Sequence, residues 1–398
     1  MVTGIIAEYN PFHKGHEYHL SQAKINTNAN SIVCVMSGNF MQRGIPAIID
    51  KWKRTEMALK SGIDLVIELP LVYSLSSAEH FAFGAVSLLN SLNIIDNLYF
   101  GSEEGNIKIL KNIAEVLVKE PDNYKIMLKN YLNLGLPFHL CRANALRDFF
   151  NSNHILECIS NSNNILGIEY IKSLILLNSK IKPLTLKREG SKYNDKSLNN
   201  TFSSATSIRN YLKNKNLGDL KSFLPKESYD ILYNLSKENY PFIFEENMFQ
   251  YIKYKLLTDG KSIDNIPDIS EGLDNKILKE VVTSTSLNDL ILNSKSKRYT
   301  YTRLNRILTQ FFLGLEKYNL LKLSKEPCPY CRILGFNSKG KNLLKNIKRN
   351  GDINLITKIP RNNISECLEI DLIGTKGYSI LNHKLNPMQD YLTSPIIL

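Results

Sequence analysis

Apolar runs and amphipathic segments alternate through the first two hundred residues. Short runs rich in Val, Ile and Leu at 2–7, 31–36, 63–68, 96–100 and 181–187 read as strands, and 17–25, 51–60, 77–91, 106–118 and 165–177 carry helical spacing. Strand followed by helix, repeated, is the signature of an α/β fold with a parallel sheet and crossover helices. A polar, loop-like tract runs from Ser191 to Asn200, and a further helix is expected over 207–213. From about residue 217 the period-two alternation fades and helical patterns dominate to about 325. After Pro327 and Pro329 a small mixed terminus follows, with strand-like runs near 353–358 and 368–373. No internal repeat interrupts this order.

Composition narrows the class. A chain of 398 residues exceeds one average core, so two or three domains are expected. Its 43% hydrophobic content describes a globular protein. No apolar stretch reaches the ~20 residues of a membrane helix. The chain starts directly on a strand, with neither a basic leader nor a small-residue cleavage site, so a cytoplasmic location without a membrane partner is the expectation. Six cysteines are too few and too irregular for a disulfide framework. Cys328 and Cys331 form a C-x-x-C, but no second pair supplies the remaining zinc ligands, so no metal site is expected.

Charge changes the picture because it is localised. Between Lys295 and Arg349 stand fourteen basic and two acidic residues, a surplus equal to that of the whole chain, 50 Lys and Arg against 38 Asp and Glu. Aromatic residues such as Tyr299, Tyr301, Phe311 and Phe312 are interleaved with them. Such a stretch suits a nucleic-acid surface, and a merely solvated basic helix is the plainer alternative.

The densest candidate chemistry lies at the N-terminus. Glu8 to Glu17 read EYNPFHKGHE and join the first strand to the first helix. In an α/β fold this turn lies at the carboxyl end of the strand, where ligands bind. The helix start adds free N–H groups and the positive end of the dipole, both suited to phosphate. His13 and His16 could donate hydrogen bonds to a phosphoryl oxygen as charge builds on it. Gly15 lets backbone approach a phosphate, and Asn10 and Pro11 set the turn. Capping and packing, or part of a metal site, are the other readings of two such histidines. A second element, Thr201 and Ser203 to Arg209, offers hydroxyls at a helix start and a guanidinium for a leaving pyrophosphate. The loop Ser37 to Pro46 carries Arg43 from a strand end and can reach the same ligand. Lys51, Lys53 and Arg54 open the next helix, an arrangement that makes sense beside a phosphate-rich ligand. Gly101 closes another strand and suits close approach to an adenine or ribose. Asn161 to Glu169 and Lys187 to Gly190 flank a further helix and strand.

These segments together resemble the bacterial tRNA(Met) cytidine acetate ligase family, within the H-x-G-H nucleotidyltransferases. The likeness includes GIIAEYNPFHKGH at 4–16, SGNFMQRGIPAIIDKWKR at 37–54, DLVIELP at 64–70, SAEHFAFGAV at 77–86 and FGSEEG at 100–105. It continues through NNILGIEYIKSL at 163–174, SSATSIR at 203–209, PFIFEENM at 241–248, KRYTYTRLNRIL at 297–308 and RILGFNSKGKNLL at 332–344. Two places are looser: PFHLCRANAL at 137–146, with His139 and Cys141, and Cys331 where an apolar residue is expected.

The resemblance implies a Rossmann-like nucleotidyltransferase domain over 1–215, binding ATP and carrying catalysis, and a mainly helical, basic tRNA-binding region over 216–398. It implies that ATP, with Mg²⁺, activates acetate as acetyl-adenylate. The acetyl group then passes to N4 of the wobble cytidine, C34, of elongator tRNA(Met). His13, His16, Thr206 and Arg209 would carry catalysis. The nucleotide would be lined by Ile6, Ala7, Glu8, Tyr9, Asn10, Pro11, Phe12, His13, Lys14, Gly15, His16, Glu17, Tyr18 and His19, joined by Gly101, Asn163 and Arg188. Lys297, Arg298, Arg303, Arg306, Lys339 and Lys341 would contact RNA phosphates. No general base for acetyl transfer stands out. A small-molecule adenylyltransferase explains the first two hundred residues but not the basic half. An RNA-binding protein with an inactive nucleotide fold sits poorly with intact His13, Gly15, His16 and Arg209.

Overall fold

The computed structural model describes residues 1–188, 204–213, 217–296 and 298–398. Five parallel strands form the body of one sheet: β1 (Val2–Ala7), β2 (Ser31–Ser37), β3 (Leu65–Leu69), β4 (Asn97–Ser102) and β5 (Lys182–Lys187). The order is β5-β4-β1-β2-β3, so the chain reverses its direction of growth beside β1. Ligands of open α/β sheets bind at such a switch point, outside the carboxyl ends of the strands. The β2 sequence, Ser-Ile-Val-Cys-Val-Met-Ser, is buried almost throughout because helices cover both faces. Val33 and Val35 join one core with Leu65, Ile67, Phe81 and Leu89, while Ile32, Cys34 and Met36 face another with Ile5, Leu20, Ala58 and Ile208.

Helices stand close to where periodicity places them: Lys51–Lys60, Ala78–Ser91, Ile107–Lys119, Ser162–Leu176 and Ala205–Lys213. The first, Lys14–Asn26, begins three residues earlier than expected because His13 caps it. Helices also dominate from Lys226 to Lys325. None among the described residues is long and apolar enough to cross a membrane.

The C-terminal segment returns to the sheet. Strand β6 (Tyr330–Phe336) runs antiparallel to β3, and β7 (Asn354–Ile356) and β8 (Ile396–Ile397) pair with β6. A cut at 215/216 therefore runs through the sheet, because residues beyond it supply three of its strands. The run 368–373, expected to be extended, lies inside the helix Glu366–Leu381. Its apolar residues are buried on several sides, and a short apolar run cannot tell a buried helix from a strand.

A buried ionic cluster bolts β6 in place. Glu68 and Arg332 are register partners, with 3.1 Å between Oε2 and Nη1. Lys51 Nζ lies 2.7 Å from Glu68 and 2.8 Å from Asp390, and Arg332 Nη2 donates to Asp390 at 2.7 Å. Two cations and two anions thus neutralise one another out of water. Burial disfavours a charged Asp390, but Lys51 and Arg332 outweigh it and hold the carboxyl at about 2. Nearby, Asp371 accepts from Leu71 N at 2.6 Å and from the Tyr330 hydroxyl at 2.6 Å.

Candidate active site

The β1 strand ends at Ala7, and His13 caps the helix that follows with extended backbone, φ −135° and ψ 172°. Its Nδ1 accepts from Gly15 N at 3.1 Å, and His16 Nδ1 accepts in return from His13 N at 3.3 Å. This is the reciprocal capping box, built here from two imidazoles. Each Nδ1 is occupied as an acceptor, which leaves the proton of each neutral ring on Nε2. The rings stack with centroids 3.7 Å apart, and Tyr9 meets His16 edge-on at 4.9 Å. A Cβ on Gly15 would stand 2.9 Å from His13 Cε1, so this glycine makes room for the capping ring.

Arg209 reaches back from the helix Ala205–Lys213: Nη1 donates to Asn10 O at 3.2 Å and Nη2 to Thr206 Oγ1 at 3.3 Å. Ser204 Oγ accepts from Ser207 N at 3.1 Å, a cap of the kind the hydroxyl-rich segment implied. Thr201 and Ser203 lie outside the described residues, as do the tract 191–200 and Glu189 and Gly190.

The loop after β2 is fixed from below by Arg54. This buried guanidinium donates to Glu8 O at 2.8 Å, Ser37 O at 3.0 Å, Ile49 O at 3.3 Å, and Gly38 O. Lys51 and Arg54 are both fully buried and absent from the cavity lining, which corrects the expectation that the bases opening this helix face a phosphate. Asp50 caps that helix, accepting from Trp52 N and Lys53 N at 2.9 and 3.0 Å. The loop also meets the helix Tyr301–Phe312. Thr309 Oγ1 donates to Gly44 O at 2.6 Å, and Asn305 Nδ2 to Arg43 O at 3.1 Å. Gly44 has φ +76°, and a Cβ there would collide with the Arg306 backbone. This close approach carries Thr302 and Arg306 to the wall of the cavity at the strand ends.

The cavity, about 510 Å³, opens at the carboxyl ends of β1, β4 and β5. Among the described residues five basic side chains line it, Arg43, Lys187, Arg188, Arg209 and Arg306, against one carboxylate, Glu8. The excess suits a polyanion. Burial, with Arg188 and Arg209 next, lowers His13 to about 3. Burial likewise pushes His16 well below its usual range and takes His19 to about 4. The rings are therefore neutral donors at pH 7. Two buried nitrogens, Asn10 Nδ2 and His19 Nε2, have no partner among the described residues, as a site built for a ligand would leave them.

Ile6, Ala7, Glu8, Tyr9, Asn10, His13, Gly15, His16, Tyr18, His19, Gly101, Asn163, Arg188 and Arg209 all line this cavity. Pro11, Phe12, Lys14, Glu17 and Thr206 do not. Phe12 is fully buried beside Tyr9, 4.7 Å between centroids, and Glu17 points to solvent. The walls also include Phe81, Phe100, Leu166 and Tyr170, which lie within the segments that carry the resemblance but are not among the site residues it implies.

The basic residues expected to hold RNA are dispersed. Arg298 pairs with Glu271, Arg303 donates to Asp268 O at 2.7 Å, and Lys339 donates to Asn30 O at 3.2 Å. Lys341 is exposed, and Lys297 lies outside the described residues. Arg306 instead borders the cavity, 3.9 Å from Asp268.

A capping pair of neutral imidazoles at the first strand end, facing a basic cavity at the switch point, is the arrangement of a protein of the nucleotidyltransferase class. The model of the HIGH Nucleotidyl Transferase family matches residues 1–391. The tRNA(Met) cytidine acetate ligase of Clostridium novyi (strain NT) is 51% identical over 399 residues, covering 100% of this chain and 99% of the relative. That of Clostridium acetobutylicum is 50% identical over 407 residues, covering 100% of both. The chain belongs to the tRNA(Met) cytidine acetate ligase family of HIGH nucleotidyl transferases. Two crystal structures of Thermotoga maritima TmcAL, each 32% identical, cover 100% of this chain and 99% of their own. The apo form matches with a TM-score of 0.94, and the form bound with alpha-thio ATP with 0.91.

Proposed function

We propose that this chain is the ATP-dependent ligase that activates acetate as acetyl-adenylate and acetylates N4 of the wobble cytidine, C34, of elongator tRNA(Met). One observation carries the chemistry: the His13–His16 box presents two Nε2–H donors into a cavity with five basic side chains. An acetate oxygen attacks the α-phosphorus in line, the bond to the β-phosphate bridge breaks, and pyrophosphate leaves. His13 and His16 stabilise charge developing on the α-phosphoryl oxygens. Arg209, held to Asn10 O and Thr206, stands for the departing pyrophosphate, with Arg188 lining the same cavity. Gly101 and Asn163, which line the same cavity, are assigned to the ribose and base.

Mg²⁺ belongs to this reading as the counter-ion of the triphosphate. Among the described residues no group of three or more His, Cys, Asp or Glu could hold a metal, and Glu8 is the only carboxylate lining the cavity. Magnesium is commonly carried by substrate phosphates with few protein ligands. The nucleotide chemistry belongs to residues 1–215 and the RNA grip mainly to 216–398, where Arg298, Arg303, Lys339 and Lys341 supply phosphate contacts. Lys297, in the same basic segment, belongs with them. Arg306, rooted in that region and lining the cavity, marks where the two meet. ATP and tRNA as substrates place the reaction in the cytoplasm.

Acetate-dependent exchange of labelled pyrophosphate into ATP, without tRNA, tests the first half-reaction. Exchange that requires acetate supports the reading. Exchange supported only by another small acceptor would turn the site into that of a small-molecule adenylyltransferase.

A further inference from the structure

The second half-reaction needs a proton acceptor, because the exocyclic amine of cytosine cannot keep both protons as it becomes an amide. Among the described residues Glu8 is the only carboxylate lining the cavity. It follows β1 directly and stands five residues before His13. One oxygen, Oε1, accepts from Gln42 N at 2.7 Å, and this bond fixes the side chain against the loop. Among the described residues no group bonds Oε2, and the exposed part of the side chain faces the cavity. The geometry points to Glu8 as the general base for acetyl transfer, an assignment that rests on the ligase reading above.

In that step the N4 lone pair attacks the acetyl carbon of the adenylate, forming the C–N bond. The bond from that carbon to the phosphate oxygen breaks, and AMP leaves with the electron pair. One N4 proton passes to Glu8 Oε2, which later returns it to water. Burial pushes the Glu8 carboxyl up from its ordinary value, opposed by the Gln42 N–H and by Arg43, Arg209 and Arg54. Such a shift moves a carboxylate toward the range where it accepts protons effectively at neutral pH. Tyr170 faces it from the helix Ser162–Leu176, its phenol pushed up by burial and then by Glu8. Phe100 packs edge-on against Tyr170 at 5.5 Å, giving this side of the cavity an apolar wall for a planar base.

Glu8→Gln tests the assignment, since the amide keeps the size and an acceptor oxygen for Gln42 N. Because Glu8 also lines the cavity, both half-reactions are read at saturating ATP, and transfer should fall at least about tenfold further than acetate-dependent ATP–pyrophosphate exchange does. Single-turnover transfer to tRNA should fall by about 10² to 10⁴, the usual contribution of a positioned base. The acid limb of the transfer pH profile should vanish as well. Glu8→Asp, which keeps the charge but withdraws the oxygen, should lose more of transfer than of exchange. Equal losses in both half-reactions, or unchanged transfer in Glu8→Gln, would overturn the assignment. Wild type without acetate-dependent exchange would instead overturn the ligase reading, and the base with it.

Discussion

Replacing His16 by Ala separates catalysis from folding, because the ring serves both and the two costs differ in size. Its Nδ1 satisfies the His13 N–H at 3.3 Å, and its face stacks on His13 at 3.7 Å. Losing a helix cap costs about 0.5–2 kcal/mol of stability, little enough for the protein to stay folded. Losing one preorganised donor at a developing oxyanion lowers turnover by about 10² to 10³, or about 2.7–4 kcal/mol of transition-state stabilisation. The His13 ring would also lose its stacking partner, which places the expected fall at the upper end. Acetate-dependent pyrophosphate exchange reads the catalytic loss, thermal unfolding reads the cap, and tRNA binding reads the remainder. The expected result is exchange reduced at least 10²-fold, a melting point lower by a few degrees, and a tRNA Kd within about twofold of wild type. Exchange within tenfold of wild type would refute the role of the imidazole. Exchange and tRNA binding lost in step would refute the division of labour between the two regions.

The three cavity histidines should stay neutral where free histidine is charged. At pH 5.5, ¹⁵N NMR should find His13, lowered to about 3, and His19, lowered to about 4, unprotonated, with His13 and His16 as Nε2–H tautomers. Imidazolium signals from these rings at that pH would contradict the buried geometry. Arg332→Ala removes one cation of the buried cluster and leaves Glu68 and Asp390 sharing Lys51, so urea unfolding should show a loss of about 3–5 kcal/mol. A loss under about 1 kcal/mol would mean water reaches the cluster. Lys341→Ala should weaken tRNA binding and lower the slope of log K against log salt by about 1 while leaving pyrophosphate exchange unchanged. An unaltered slope would remove Lys341 from the RNA surface.

What the sequence makes legible is mostly what is local. Val2–Ala7, the H-x-G-H turn and Arg209 can be read in short windows, because strand alternation, capping and helix-start chemistry are decided within a few residues. The carboxyl-end position of His13 and His16 follows from strand-then-helix order alone. Strand β6 is different: its place beside β3 depends on pairing across more than 260 residues, and no local pattern announces it. The same holds for Phe81, Tyr170 and Arg306, which reach the cavity only after three separate helices have packed. Lys51 and Arg54 show the limit most sharply. Two bases at a helix start look like phosphate ligands until the fold supplies Glu68 and Asp390 for one and four backbone carbonyls for the other.

The central claim is the reaction itself, and one assay addresses it. Purified protein is incubated with ATP, Mg²⁺, acetate and unmodified elongator tRNA(Met), each omitted in turn, and the digested RNA is analysed by mass spectrometry. The account predicts N4-acetylcytidine at the wobble position only when ATP, acetate and protein are all present, with no need for acetyl-CoA. Unmodified cytidine in the complete mixture, from protein that still binds ATP, would contradict it.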